Sequence, residues 1–102
     1  MGPALMPLTH EVTVVIPTVA PHAGRAKMLT KALASVESQT HPATEVIVEY
    51  DENREGPAAV RNRAVEKVET EWLAFLDDDD YLLPEHLALL CMAQEESGAD
   101  LV

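Results

Sequence analysis

Four consecutive carboxylates, Asp77, Asp78, Asp79 and Asp80, are the side chains in this sequence best suited to chemistry. Neighbouring negative charges oppose one another unless a cation joins them. Carboxylate oxygens are hard ligands, which suit magnesium, manganese or calcium rather than zinc. A solvated acidic turn is the alternative reading of the cluster alone. Spacing excludes several metal and phosphate motifs. An EF-hand loop beginning at Asp77 needs glycine at position 82 and glutamate at 88, where the chain has Leu82 and Ala88. No GxGxxG follows the first apolar run, and no GxxxxGKS/T occurs.

The elements that must hold this cluster follow from the hydrophobic pattern. Residues 1–10 read as a leader. Val12–Ile16 is β-branched and almost continuously apolar, as a strand buried on both faces must be. From Arg25 the pattern turns helical, with Leu29, Ala32, Leu33 and Val36 along one face, and it stops before Pro42. Val46–Val48 reads as a second strand leading to Asp51. Pro57 suits the first turn of a second helix, with Val60, Ala64 and Val68 turned to a core. Trp72–Leu76 reads as a third strand, and the aspartates begin where it ends. Pro84 opens a third helix, with Leu87, Leu90 and Cys91 on one face and Gly98 as its stop. The final Ala99–Val102 reads as the start of another strand.

Strand and helix alternating three times predict an α/β, Rossmann-like parallel sheet with helices on both faces. Ligands of such sheets bind outside the carboxyl ends of the strands. Pro17–Thr18, Asp51 and Asp77–Asp80 all fall at those ends. The chain of 102 residues suffices for one domain, and its net charge of −11 disfavours nucleic acid and anionic membranes as partners. An acidic protein that binds phosphates needs a local cation. A diphosphate bridged through a metal on one or two of the aspartates meets that need, and the same ion would stabilise charge on a departing nucleoside diphosphate.

With these residues in view, the chain resembles the family 2 glycosyltransferases of the GT-A fold. The matching pieces come in the family's order: VTVVIPT, KALASVESQT, EVIVEYD, PAAVRNRAVE, WLAFLDDDDYLLPEHL and SGADLV. The resemblance implies a partial GT-A domain over residues 11–102, its nucleotide-sugar-binding front half, with the last strand cut off. Pro17 and Thr18 then match the turn against the nucleoside, and Asp51 the base-recognising aspartate. Arg61 and Asn62 match the segment near the diphosphate. Asp77 and Asp79 match the ends of a DXD motif, with Asp79 the expected ligand of Mn2+ or Mg2+ and Asp77 beside it. Asp78 fills the variable middle position, and Asp80 matches a further aspartate often found next. The donor implied is a UDP- or GDP-linked sugar, transferred with inversion to an unknown acceptor.

The match also has departures. Tyr50 precedes Asp51 where the family commonly has a second aspartate. PTVA stands where an aromatic and an asparagine are common, and the Asp51–Pro57 stretch is short. The acceptor half and general base of the family have no counterpart here, so the catalytic residues stay unassigned. A second chain supplying that half is one arrangement; a noncatalytic nucleotide-binding or assembly domain is another. A receiver-like phosphoacceptor domain is a more distant alternative, since it needs an acidic pair where Pro17–Thr18 stand. Arg54 and Arg63 are alternatives to Arg61. His10, His22, His41 and His86 lack ligand spacing and read as surface or turn residues, while Trp72 and Phe75 read as core. Cys91 is the single cysteine, and no signal peptide or membrane span is evident, so a cytoplasmic protein is expected.

Overall fold

The computed structural model describes residues 10–19 and 25–98. In chain order the described elements are β1 (Val12–Thr18), α1 (Arg25–Glu37), β2 (Glu45–Tyr50), α2 (Pro57–Val65), β3 (Trp72–Phe75) and α3 (His86–Ser97). The strands form a parallel sheet in the order β2-β1-β3. The α/β class, parallel sheet and two-sided helix cover are therefore as expected. The expected leader, the loop from 20 to 24 and the expected final strand lie outside the described residues.

β1 is central because it is apolar on both sides, and all seven of its residues are buried. Val12, Val14 and Ile16 join Leu29, Ala32 and Val36 of α1 and Leu87 and Cys91 of α3 in one core. Val15, on the opposite face of the pleat, is also fully buried, as are Val60 and Ala64 of α2, the helix that packs on β1 and β2. Each fully buried valine, isoleucine or leucine contributes roughly 1.5–3 kcal/mol relative to exposure.

Several boundaries differ from expectation for identifiable reasons. Pro17 does not end β1, which runs on to Thr18 in register with Tyr50. In a parallel strand alternate residues bond to opposite neighbours, and here Val15 faces β3 while Thr18 faces β2 (Val15 O accepts from Leu76 N, Thr18 O from Asp51 N, both 2.9 Å). The N–H that Pro17 lacks would point to the β3 side, where pairing has already ended at Phe75. Helix α2 closes at Val65, and Val68 sits half-buried in a turn whose N–H bonds back to Val65 O. Pro84 lies in a turn before α3 rather than inside it. Gly98 takes the left-handed conformation (φ 68°) and returns its N–H to Gln94 O, as a helix stop requires.

The N-terminus of α3 shows a cap that sequence spacing could not reveal. Glu85 makes no side-chain cap. Instead Gln39, just beyond α1, accepts the Leu87 N–H through Oε1 (3.0 Å) and donates through Nε2 to Leu83 O (2.7 Å) and Ser35 O (3.0 Å). Ser35 Oγ also accepts the Leu82 N–H at 3.0 Å, and the Thr40 N–H donates to Pro84 O at 2.8 Å. The chain that leaves the aspartates is thus tied to the end of α1.

Histidine placement corrects the surface-or-turn expectation in two cases. His41 is buried, with Nε2 3.0 Å from His10 O. His10 packs its largely buried ring against Trp72, with Nε2 2.6 Å from Gln94 Oε1. His86 is exposed at the start of α3, and His22 lies outside the described residues.

Candidate functional site

The carboxyl ends of the three strands are stitched together by short bonds. The Asp51 N–H donates to Thr18 O, joining β2 to β1. Thr18 Oγ1 donates to Asp78 Oδ2 at 2.6 Å, joining β1 to the segment after β3. Thr18 and Asp78 are 4% and 6% exposed, so this is a buried bond to a carboxylate, the stronger kind.

Geometry explains why one aspartate of four turns inward. Residues 77–80 form a turn in which the Asp80 N–H donates to Asp77 O at 3.1 Å. Asp78 points down to Thr18, while Asp77, Asp79 and Asp80 stay exposed. The last three each offer a carboxylate oxygen, and these oxygens lie within 4.8 Å of one another. Three hard oxygen donors converging in this way fit Mg2+ or Mn2+. Asp80 thus stands with Asp77 and Asp79 in the converging set.

An open cleft of about 330 Å³ lies above the strand ends. It is lined by Pro17 and Thr18 from β1, Val19 just after it, Asp51 after β2, Pro57, Val60 and Arg61 from α2, and Asp77, Asp78 and Asp79. The structure therefore brings Pro17, Thr18, Asp51, Arg61, Asp77, Asp78 and Asp79 to one place. Asn62 is not among the lining residues. It follows Arg61 on α2 and is exposed, and consecutive helical residues do not share a face.

Arg61 is the only basic residue among those described that line the cleft. Its Nη2 lies 3.1 Å from Asp77 Oδ1, and its guanidinium carbon sits 5.8 Å from the centre of the Phe75 ring. Phe75 is thus not core, as its type suggested; it is 47% exposed at the end of β3, with Arg61 over its face. The alternative Arg63 is held elsewhere. It bonds Glu49 Oε2 (2.7 Å), Glu55 and Tyr50 O (2.9 Å), while Lys67 Nζ reaches Glu49 Oε1 at 2.5 Å. Hydrogen bonds from Lys67 first, and then Arg63, hold the Glu49 carboxyl below its usual range. Glu49 and Glu55 push Arg63 further up, so it is charged at every accessible pH. Arg54 does not line the cleft, and it takes a left-handed backbone (φ 54°) in the loop before α2.

Asp51 organises that same loop. Its Oδ1 accepts the Glu55 N–H at 2.8 Å and its Oδ2 the Gly56 N–H at 2.9 Å. The Glu55 amide is the main cause of an Asp51 pKa below the ordinary value. A carboxylate oxygen has more than one acceptor direction, so this bonding leaves Asp51 able to meet a ligand in the cleft.

A parallel α/β sheet with an aspartate-rich turn and an open cleft at its carboxyl edge sets its polar residues where sheets of this kind bind ligands. Residues 48–102 match the family model described as glycosyl transferase family 2, more than half of the chain, and the chain belongs to that family. The matched segment contains Asp51, Arg61, Asn62 and Asp77–Asp80; Pro17 and Thr18 precede it. Glycosyl transfer is the activity of this family, and membership sets the receiver-like alternative aside. No curated protein sequence matches the chain at a significant level. No helix among the described residues is long and apolar enough to cross a membrane.

Proposed function

We propose that the cleft binds the donor of an inverting glycosyl transfer, a UDP- or GDP-linked sugar, with a divalent Mn2+ or Mg2+ at the aspartate turn. The observation that carries this reading is the convergence of Asp77, Asp79 and Asp80 at the mouth of a cleft walled by all three strand ends. Asp79 and Asp77 hold the cation, with Asp80 as a third carboxylate. A cation bound there would supply charge to neutralise the phosphates and stabilise a departing nucleoside diphosphate. Pro17 and Thr18 form the floor against the nucleoside, and Asp51 meets the base from the α2 loop. Arg61 supplies the cleft's own positive charge toward the diphosphate. Asp78 acts from beneath, fixing the turn through Thr18. The acceptor and the general base have no assigned residue in this cleft.

Calorimetric titration with UDP and GDP, with and without Mn2+, tests the reading. The expected result is nucleotide binding that needs the metal and is lost in Asp79→Ala. Binding that is unaffected by metal would remove the cation from the reading, and no binding by the folded chain would leave a noncatalytic assembly domain as the better description.

A further inference from the structure

Arg61 stands where a bound cation and a bound diphosphate would each make a claim on it. Phe75 ends β3 and Asp77 lies two residues beyond it, and Arg61 reaches both. The Arg61 guanidinium lies over the Phe75 ring and ends on the Asp77 carboxylate. Asp77 is also one of the three carboxylates that converge in the turn. One carboxylate of the cluster is therefore already neutralised by a cation belonging to the protein.

We infer that Arg61 is an internal counter-ion that competes with the divalent cation for Asp77, and that its release to the diphosphate couples metal binding to donor binding. The inference rests on the metal-and-diphosphate reading given above. The physics has two signs. With no nucleotide present, Arg61 opposes a cation at Asp77 by like-charge repulsion and by holding the oxygen a cation needs. Once the cation takes Asp77, the guanidinium loses its carboxylate partner and is left beside the cleft, where the phosphates are its natural acceptors. Each ligand then removes an obstacle to the other, and such coupling is reciprocal. The pair is partly exposed (side chains 38% and 51%), so its contribution is modest.

The test measures Mn2+ binding alone, by loss of the free-ion electron paramagnetic resonance signal, and then UDP binding at saturating Mn2+. Wild type, Arg61→Gln and Arg61→Lys are compared. Arg61→Gln should bind Mn2+ alone about two- to fivefold more tightly, as removal of a partly exposed ion pair allows. The same variant should bind UDP more weakly, and UDP should strengthen its Mn2+ binding less than it does in wild type. Arg61→Lys, which keeps the charge, should stay close to wild type in both. Mn2+ binding that is unchanged or weaker in Arg61→Gln overturns the inference while leaving the site reading intact. Failure of the wild-type chain to take up Mn2+ at all sinks both.

Discussion

Thr18 and Asp78 stand 60 positions apart in the chain and share a buried hydrogen bond of 2.6 Å. That bond joins the central strand to the aspartate turn, and it separates the one inward carboxylate from its three exposed neighbours. Thr18→Val keeps the shape and removes the donor. It should cost about 1–3 kcal/mol, the usual penalty for depriving a buried charged acceptor of a partner. For a chain of this size that lowers the melting temperature by roughly 4–8 °C per kcal/mol. Thermal unfolding checks it, with Thr18→Ser as the variant that should retain stability.

The inward and outward aspartates should separate cleanly in metal binding. Asp79→Asn and Asp80→Asn each remove a charged oxygen donor from the converging set and should weaken Mn2+ binding strongly. Asp78→Asn should lower stability instead, with a much smaller effect on the metal. Equal losses from all three variants, in a Mn2+ titration, would mean that the turn acts only through its summed charge.

Gln39 is expected to matter more than an uncharged residue beyond a helix end normally does. Gln39→Ala leaves the Leu87 N–H and Leu83 O without their partner and should destabilise the chain by about 1–3 kcal/mol. Amide exchange at Leu87 should accelerate well beyond the global change. Uniform acceleration across α1 and α3 would show that the cap has no local role.

Acid stability follows from Glu49 and Asp51. Both carboxyls have folded-state pKa values below their ordinary values of 4.5 and 3.8. The unfolded chain therefore takes up protons first as pH falls. The stability these groups contribute is fully present above the ordinary values and is lost as pH drops through the lower, folded ones. Urea midpoints should fall steadily below about pH 4.5. Glu49→Gln should be less stable at neutral pH and show a shallower acid slope. An unchanged slope would remove Glu49 from the account.

Much of this architecture was legible in the residues, for a physical reason. VTVVI is too apolar to sit anywhere but in a buried sheet, and the helical face Leu29, Ala32, Leu33 and Val36 has one sensible orientation. WLAFL is apolar enough to pair beside VTVVI, although Trp72–Ala74 are only half-buried and Phe75 is exposed. The edge position of Asp51 and Asp77–Asp80 followed from strand order alone. What stayed hidden depends on three-dimensional pairing. Pro17 is tolerated in β1 because of which neighbour its missing donor would face. Phe75 reads as core by type, yet it lies exposed beneath Arg61. Asn62 follows a cleft residue in sequence and is turned away from the cleft by the helical step. His41 is buried and Gln39 caps a distant helix, although neither residue type announces such a role. Arg63 and Arg61 are both plausible by spacing, and only the Glu49 and Glu55 contacts show which of them is committed elsewhere.

The sheet order β2-β1-β3 has a thermodynamic consequence. The cleft walls come from the ends of three strands that meet only when both outer strands have docked on β1, so no half-folded state contains the complete site. Whatever the cleft binds therefore binds the native state alone. Its occupancy adds RT ln(1 + [L]/Kd) to the stability of the whole chain, or about 2.7 kcal/mol at a hundredfold excess over Kd. For a chain this small, that is a substantial share of the margin that keeps it folded. Its ligand should act as a folding cofactor.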